Sequence, residues 1–274
     1  MRTISWPCPW LVQRMQIYLE LSKWRVTCLM LITVWVGMTL ASSTPVAWQL
    51  SFFTLLGIGL IASAAGALNH LLERHLDSQM ARTERRPLPQ GKISSLHVLL
   101  FSITAGLSGL SLLSLFTNPL TGFLSLISLI GYAFFYTLYL KHHTPQNIVI
   151  GGLAGAMPPL LGWTAISGNI DPGGLILVLI IFIWTPPHFW SLAIARHADY
   201  AKSNLPMLTV THGIAFTKQQ ILLYTLLLSG ISLLPFSIGI SGLFYLFSAL
   251  LLNCGFIVAV ANLLKQTKTA AAIK

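Results

Sequence analysis

Charged side chains are scarce in this sequence. Asp, Glu, Lys and Arg make up 8% of its 274 residues, whereas hydrophobic residues make up 55%. A soluble globular protein carries roughly a quarter charged residues, so this balance excludes an ordinary water-soluble domain. The lipid bilayer is the solvent that the composition indicates.

Cysteines and acidic residues are also few. The three cysteines, Cys8, Cys28 and Cys254, are far apart and form no CxxC pair, which excludes a disulfide framework or a cysteine-based zinc site. Acidic residues number six, against 16 Lys and Arg. The positive excess does not indicate a nucleic-acid partner, because the basic residues lie in short segments between apolar runs.

Long apolar runs dominate the rest of the chain. A helix needs about 20 residues to cross the hydrocarbon core, and eight runs reach or approach that length. None alternates with the period of two expected of a barrel strand, and helices satisfy their own backbone in lipid. The sequence therefore predicts an all-α, polytopic transmembrane bundle. Its eight predicted spans are Val26–Ala41, Val46–Leu68, Leu96–Phe116, Pro119–Leu140, Ile148–Ile166, Gly174–Ala195, Thr217–Phe236 and Ser241–Leu264.

The connections between these spans differ in charge. A cytoplasmic amino terminus places all 16 Lys and Arg on the cytoplasmic side, and we interpret Lys141 as one of these topology signals. The opposite loops are short and contain one charge, Asp171. We expect a multi-pass protein of a bacterial inner membrane, since no organelle-targeting segment is evident. The expected divisions are an interfacial segment 1–25, a transmembrane domain 26–264 and a cytoplasmic tail 265–274.

A polar stripe is predicted where the second span ends. Asn69, Glu73 and Asp77 are spaced by four, so a continuing helix places them on one face. Two carboxylates and an amide suit Mg²⁺, which bridges substrate phosphates. A solvated helix end, with Arg74 as a local ion-pair partner, is the alternative interpretation.

Arginines follow this stripe. Arg82, Arg85 and Arg86 suit a diphosphate, because guanidinium groups match phosphate oxygens. A loop that only retains positive charge in the cytoplasm would also contain them, but it would not explain the neighbouring acids.

A second polar stretch interrupts the sixth span. His188 follows Pro186 and Pro187 inside an apolar run, where freed backbone groups and a polar ring are costly without a purpose. His188 is therefore a candidate site residue, although a packing role remains open. Asp199 and Lys202, in the loop that follows, are candidates for a metal ligand and a diphosphate counter-charge.

Several stretches together carry a family resemblance. They are Asn69 to Asp77, Arg82-Thr-Glu-Arg-Arg-Pro-Leu-Pro-Gln-Gly91, Tyr136 to Lys141, Thr144 to Pro159, Trp184-Thr-Pro-Pro-His-Phe-Trp190, Asp199-Tyr200 and Pro206-Met-Leu208. They resemble the intramembrane prenyltransferases of the UbiA superfamily, and within it the branch that farnesylates haem. The stretches around Pro159 and His188 are the specific ones for that branch.

The resemblance implies an activity. A farnesyl group would pass from farnesyl diphosphate to a vinyl group of haem B, giving haem O for a haem A synthase or terminal oxidase. The implied catalytic and Mg²⁺-binding residues are Asn69, Glu73, Asp77 and Asp199. The implied substrate contacts are Arg82, Arg86 and Lys202 for the diphosphate, and His188 and then His197 for the haem. Tyr132, Tyr136 and Tyr139 recur at near-helical spacing, which makes Tyr136 a candidate for lining an isoprenoid tunnel, with aromatic packing as the alternative.

Two departures from the family pattern are expected to matter. Ser203 stands four residues after Asp199, where the superfamily usually has a second aspartate, and this weakens the assignment of Asp199. We count eight spans, whereas the superfamily fold has nine. The open alternatives are a prenyltransferase for a quinone or chlorin precursor and a non-catalytic haem-binding or transport protein.

Overall fold

Helices account for nearly all of the regular structure. The computed structural model describes residues 9–79, 83–202 and 206–266. In chain order the helices are α1 (Pro9–Leu21), α2 (Trp24–Ala41), α3 (Trp48–Leu72), α4 (Arg74–Asp77), α5 (Ser95–Phe116), α6 (Pro119–Ile130), α7 (Lys141–His143), α8 (Asn147–Ala156), α9 (Pro158–Ser167), α10 (Pro172–Ala195), α11 (His197–Lys202), α12 (Leu208–Thr211), α13 (Gly213–Ile231), α14 (Leu234–Ser237) and α15 (Leu243–Lys265). A π-helix, Gly131–Leu140, continues α6 without a break.

Eight stretches of the described residues are long and apolar enough to cross a membrane, as predicted. Two of them are built in a way that the apolar runs did not indicate. The fourth span changes from α-helix to π-helix at Gly131, and the fifth consists of α8 and α9. The second break falls before Pro158, whose ring removes a backbone donor and suits the first turn of a new helix.

The outer surface of the bundle is apolar. Phe244 is 89% exposed, Leu115 76% and Leu251 75%. Soluble monomers rarely expose contiguous apolar patches larger than a few hundred Å², so these helix faces are suited to lipid. The chain is therefore a multi-pass membrane protein.

Glycines allow the closest helix contacts. A Cβ at Gly37 on α2 would overlap the Pro159 carbonyl oxygen on α9. A Cβ at Gly109 on α5 would lie 2.6 Å from the Gly57 carbonyl oxygen on α3. Small residues bring helices together where no hydrophobic driving force operates between lipid and apolar side chains. These contacts hold α2 against α9 and α3 against α5.

The amino-terminal helix crosses the carboxyl end of α3. Leu21 of α1 is buried together with Ala67 of α3 and Val98 of α5. The same end of α3 packs against the π-helix. Three parts of the chain that are distant in sequence therefore meet beside Asn69.

The last described helix lies at the margin of the bundle. α15 packs mainly on α13 and α14. Tyr245 donates a hydrogen bond to the Ser232 carbonyl at 2.7 Å, and Asn253 donates to Ser232 Oγ at 2.8 Å. Only 6% of its most apolar 18-residue stretch is buried inside the bundle. Within the described residues the bundle thus has eight spans, with one flank of α15 open.

Candidate active site

The predicted polar stripe is present at the carboxyl end of α3. The Glu73 amide donates to the Asn69 carbonyl at 3.0 Å, and the Asp77 amide donates to the Glu73 carbonyl at 2.8 Å. These bonds preserve helical spacing across the junction of α3 and α4, so the three side chains share one face. The exposed fractions of Asn69, Glu73 and Asp77 are 3%, 6% and 3%. The stripe is therefore buried, unlike an ordinary solvated helix end.

Each member of the stripe contacts one cation from elsewhere in the chain. The contacts are Lys23 Nζ to Asn69 Oδ1, Lys141 Nζ to Glu73 Oε1 and Arg86 Nη1 to Asp77 Oδ2, each at 2.6 Å. A buried carboxylate without a partner is costly, so the last two pairs offset the cost of burying both acids. Of these cations, Arg86 was predicted for the site from sequence, Lys141 was interpreted as a topology signal, and Lys23 was not predicted.

Lys23 reaches the stripe from the turn between α1 and α2. Its backbone is left-handed, with φ 49° and ψ 44°. Its ammonium group donates to both Asn69 Oδ1 and the Tyr132 hydroxyl, the latter at 3.0 Å. Its isolated position before the first span offered no spacing signal that would have identified it.

The π-helix directs a polar face toward the stripe. Thr137 Oγ1 donates to the Tyr132 carbonyl at 2.9 Å, and the Lys141 amide donates to the Tyr136 carbonyl. Residues five apart therefore share a face, because a π-helix bonds each residue to the fifth before it. Asn69 Nδ2 donates to Thr137 Oγ1 at 3.2 Å across the helix contact.

Two tyrosines of the π-helix form a pair beside the stripe. Tyr132 and Tyr136 stack with ring centroids 5.8 Å apart and an interplanar angle of 19°. The ionisable neighbours of the Tyr136 phenol include Tyr132, Glu73 and Tyr200. The Tyr136 phenol is thus near both Glu73 of the stripe and Tyr200 of α11. Tyr139 points elsewhere and stacks on His143 at 4.6 Å.

The loop after α4 folds back on Asp77. Thr83 Oγ1 donates to the Asp77 carbonyl at 3.0 Å, and the Arg86 amide donates to the Thr83 carbonyl at 3.0 Å. This turn carries the Arg86 guanidinium to the Asp77 carboxylate. Arg82 lies outside the described residues.

The second predicted stretch contributes less to this cluster. Asp199 on α11 is exposed, and His197 is half-buried with an unpartnered Nδ1. The Lys202 side chain lies outside the described part of the structure. Across residues 9–79, 83–202 and 206–266, no group of three or more His, Cys, Asp or Glu is arranged to hold a metal. The metal-ligand role of Asp199 therefore remains a prediction.

His188 lines a groove between α10, α13 and α15. Its ring stacks on Trp184 at 4.4 Å and meets Phe189 edge-on at 5.4 Å. The groove has a volume of about 300 Å³, and its other walls include Ser191 and Phe256. Neither ring nitrogen of His188 has a hydrogen-bond partner among the described residues. An unpaired imidazole at this depth in a span is a candidate ligand.

The stripe suits a magnesium ion. Asn69, Glu73 and Asp77 present oxygen atoms on one helix face, and Mg²⁺ takes oxygen ligands while keeping sites for water and substrate phosphates. Glu73 Oε2 and Asp77 Oδ1 make no hydrogen bond within the described residues, so each acid has an oxygen to offer. His70, beside the stripe, is 2% exposed with an unpartnered Nδ1, and it was not predicted from the sequence.

Comparisons with known proteins agree on one family. Residues 30–274 match the UbiA prenyltransferase family. A protoheme IX farnesyltransferase of Legionella pneumophila (strain Paris) is 56% identical over 257 residues, covering 94% of this chain and 87% of the relative. One of Azotobacter vinelandii is 56% identical over 256 residues, covering 93% and 86%.

Solved structures share the fold. A structure described as digeranylgeranylglyceryl phosphate synthase aligns with a TM-score of 0.80 at 22% identity, covering 95% of this chain and 91% of that one. A UbiA homolog from Archaeoglobus fulgidus bound to DMAPP and Mg²⁺ aligns with a TM-score of 0.70 at 16% identity, covering 89% and 86%. By sequence and by fold, the chain belongs to the UbiA prenyltransferase family and is a prenyltransferase enzyme.

Proposed function

We propose that this chain transfers a farnesyl group from farnesyl diphosphate to a vinyl group of haem B, giving haem O. The observation that carries the proposal is the buried Asn69–Glu73–Asp77 stripe with three cations around it. The activity named for relatives at 56% identity supports the choice of donor and acceptor. A homolog of the same fold bound to a prenyl diphosphate and Mg²⁺ supports the choice of metal.

Mg²⁺ would be held by Asn69, Glu73 and Asp77, with Asp199 as a further predicted ligand. When bound, the ion would offset the charge that develops on the departing pyrophosphate. The stripe would keep this charge stabilisation in a water-poor site, where electrostatic effects are stronger than in bulk water.

The three cations would bind the diphosphate once the metal is present. Lys141 and Arg86 contact one oxygen each of Glu73 and Asp77, at 2.6 Å. Because Mg²⁺ would bind the same carboxylates, both side chains would be available to the phosphate oxygens, with Lys23 beside them. The predicted partners Arg82 and Lys202 would join this group.

The chemistry then proceeds in three steps. The C1–O bond of the farnesyl group breaks, and its electron pair leaves with the pyrophosphate. The resulting allylic cation is captured by the terminal carbon of the porphyrin vinyl group, which forms a C–C bond and moves the positive charge to the adjacent carbon. Water adds there and releases a proton, leaving a hydroxyethylfarnesyl chain. The Tyr132–Tyr136 pair is suited to shield the cation through its ring faces.

The groove beside His188 is the proposed acceptor site. Imidazole is a common axial ligand of haem iron, and the ring of His188 has no competing hydrogen bond. The parallel Trp184 ring fixes the imidazole plane, while the groove's apolar walls suit a porphyrin. His197 is the second candidate for this contact.

The distribution of Lys and Arg along the chain supports the remaining assignments, which are the domain bounds, the orientation in the membrane and the cellular location. We propose that residues 26–264 form the transferase domain, between an interfacial segment 1–25 and a tail 265–274. The amino terminus and both polar loops would face the cytoplasm of a bacterial cell, because this orientation places every Lys and Arg on that side. A haem A synthase or terminal oxidase would receive the product.

An acceptor panel tests the proposal. The protein in lipid vesicles is incubated with farnesyl diphosphate, Mg²⁺ and either haem B or an aromatic quinone precursor, and the products are identified by chromatography and mass spectrometry. We expect a more apolar haem carrying hydroxyethylfarnesyl, which is lost when the metal is chelated. Prenylation of the quinone precursor alone would contradict haem as the acceptor. No product with either acceptor would contradict a transferase role.

A further inference from the structure

Gly151 of α8 lies directly against the ring of Tyr136. A Cβ at this position would overlap Cδ2 of Tyr136 and lie 2.8 Å from Cε2 and 2.9 Å from Cγ. Carbon atoms in favourable contact are about 3.5–4.0 Å apart, so any side chain larger than hydrogen requires the ring to move. The edge of the Tyr136 ring therefore rests on the backbone of α8.

One face of the Tyr136 ring is also covered. Tyr132 stacks on it at 5.8 Å, and the Tyr132 hydroxyl accepts a hydrogen bond from Lys23 at 3.0 Å. Lys23 in turn donates to Asn69 at 2.6 Å. A ring displaced by a larger residue at 151 would disturb this series of contacts. Its position is thus set by two contacts, one with α8 and one with the Tyr132 ring that leads to the stripe.

The backbone fixes the ring as well. The Tyr136 carbonyl accepts a hydrogen bond from the Lys141 amide, in the five-residue register of the π-helix. Lys141 is itself held by the buried Glu73 carboxylate at 2.6 Å. The Tyr136 side chain cannot adjust to a larger residue at 151 by sliding along the helix, because its backbone is tied to the same cluster.

We infer that Gly151 is a positioning residue, which sets the Tyr136 ring at the height where the allylic carbon of the donor ionises. The inference rests on the proposed function, because the ring needs an allylic diphosphate beside the stripe to act on. A displacement of about 1 Å in a reacting site can lower a rate by about two orders of magnitude. The effect belongs to the transition state of ionisation, because positive charge develops on the allylic carbon as the C1–O bond breaks and is absent from the bound diphosphate.

The chain provides a matched control on the same helix. Nothing lies within 4 Å of a Cβ built at Gly155, one helical turn after Gly151. Gly151→Ala and Gly155→Ala therefore make the same change in helix propensity, and only the first meets a ring.

Pyrophosphate release from farnesyl diphosphate is measured without haem, so the readout does not depend on the acceptor. We expect Gly151→Ala to lower kcat by about 10- to 100-fold with KM for farnesyl diphosphate changed by less than about threefold. We expect Gly155→Ala to match the parent protein.

A double-substitution cycle separates positioning from packing. If Gly151 acts through Tyr136, then Gly151→Ala has no further effect on kcat once Tyr136→Ala has removed the ring. The melting temperatures of the same four proteins provide a reading that needs no substrate. Gly151→Ala should lower the melting temperature when Tyr136 is present and not in the Tyr136→Ala background. An equal loss in both backgrounds, in either readout, would overturn the inference, as would an unchanged single variant. If the effect of Gly151→Ala depends on Tyr136 but the protein does not modify haem, the result would count against the proposed acceptor and not against the role of Gly151.

Discussion

Lys141 illustrates how a single residue changes meaning once its surroundings are known. In the sequence it is one of several basic residues beside an apolar run, and such residues usually mark the cytoplasmic side. In the structure its ammonium group contacts the Glu73 carboxylate at 2.6 Å, and both side chains are mostly buried. A buried pair of this kind is strongly sensitive to the loss of one partner.

We predict that Lys141→Met destabilises the metal-free protein, because Glu73 is left as a buried unpaired charge. The expected loss is about 3 kcal/mol in the free energy of unfolding. Mg²⁺ together with inorganic pyrophosphate should recover part of it by restoring positive charge at Glu73. Thermal unfolding in detergent, with and without both ligands, measures the effect.

Lys218→Met is the control for this prediction. Lys218 lies at the same end of the bundle and donates only to the Gln266 carbonyl in an exposed contact. Its replacement should leave the melting temperature within about 1 °C of the parent protein, since surface substitutions are usually nearly neutral. Equal losses from the two lysine substitutions would show that the Glu73 pair contributes nothing specific.

At the same scale, the sequence predicted the acids better than their partners. Asn69, Glu73 and Asp77 were identifiable because helical spacing is local, and the structure places them on one buried face. Lys23 and Lys141 are separated from them by 46 and 68 residues, and no local pattern carries information about such contacts. Arg86 was predictable because the Asp77 loop returns within nine residues.

At the scale of helices, the position of α3 determines where the stripe lies. α3 and α5 approach so closely that a Cβ at Gly109 would lie 2.6 Å from the Gly57 carbonyl oxygen. Gly106, on the same helix, has room, because a Cβ there would meet the Ala64 methyl at an ordinary 3.6 Å. Comparing alanine substitutions at these two glycines therefore separates the effect of close helix packing from the effect of replacing glycine by alanine in a helix.

We predict that Gly109→Ala destabilises the protein by about 1–3 kcal/mol, because overpacking pushes α3 away from α5. Gly106→Ala should be neutral or slightly stabilising, since alanine is the better helix former. Thermal unfolding in detergent gives the melting temperatures of the two variants. A similar melting temperature for both would contradict the close contact between α3 and α5.

The helices themselves were largely predictable, and their irregularities were not. All eight spans follow from apolar runs of the length that a bilayer requires. The π-helix at Gly131–Leu140 has no comparable signal, because its sequence is as apolar as an α-helical span. As a result, the spacing of Tyr132, Tyr136 and Tyr139 suggested one aromatic face, whereas Tyr139 lies with His143 instead.

At the scale of the whole molecule, charge is confined to one side of the predicted membrane. All 16 Lys and Arg are expected at the end of the bundle where the stripe and its cations lie. The orientation of the protein in the membrane therefore determines the side from which substrate enters, because the diphosphate must arrive from the side that carries the cations.

We predict that single cysteines report this orientation. In a variant without the native cysteines, Ser43→Cys should react with a membrane-impermeant maleimide in intact bacterial cells. Lys92→Cys should react only after the cells are lysed, because its loop faces the cytoplasm. The opposite labelling pattern would invert the proposed topology and move the stripe to the outer side of the membrane.

The most direct test of the account is the turnover of Glu73→Gln with farnesyl diphosphate, haem B and Mg²⁺, measured beside Glu20→Gln. Both substitutions replace one acid by its amide, but Glu73 is buried in the stripe and Glu20 is exposed on α1. The account predicts that Glu73→Gln loses about 100-fold or more in kcat, since charge stabilisation at a leaving group is worth that much. Glu20→Gln should retain the parent rate, and both variants should elute as folded protein. Equal rates for the two variants would contradict the claim that the stripe carries the reaction.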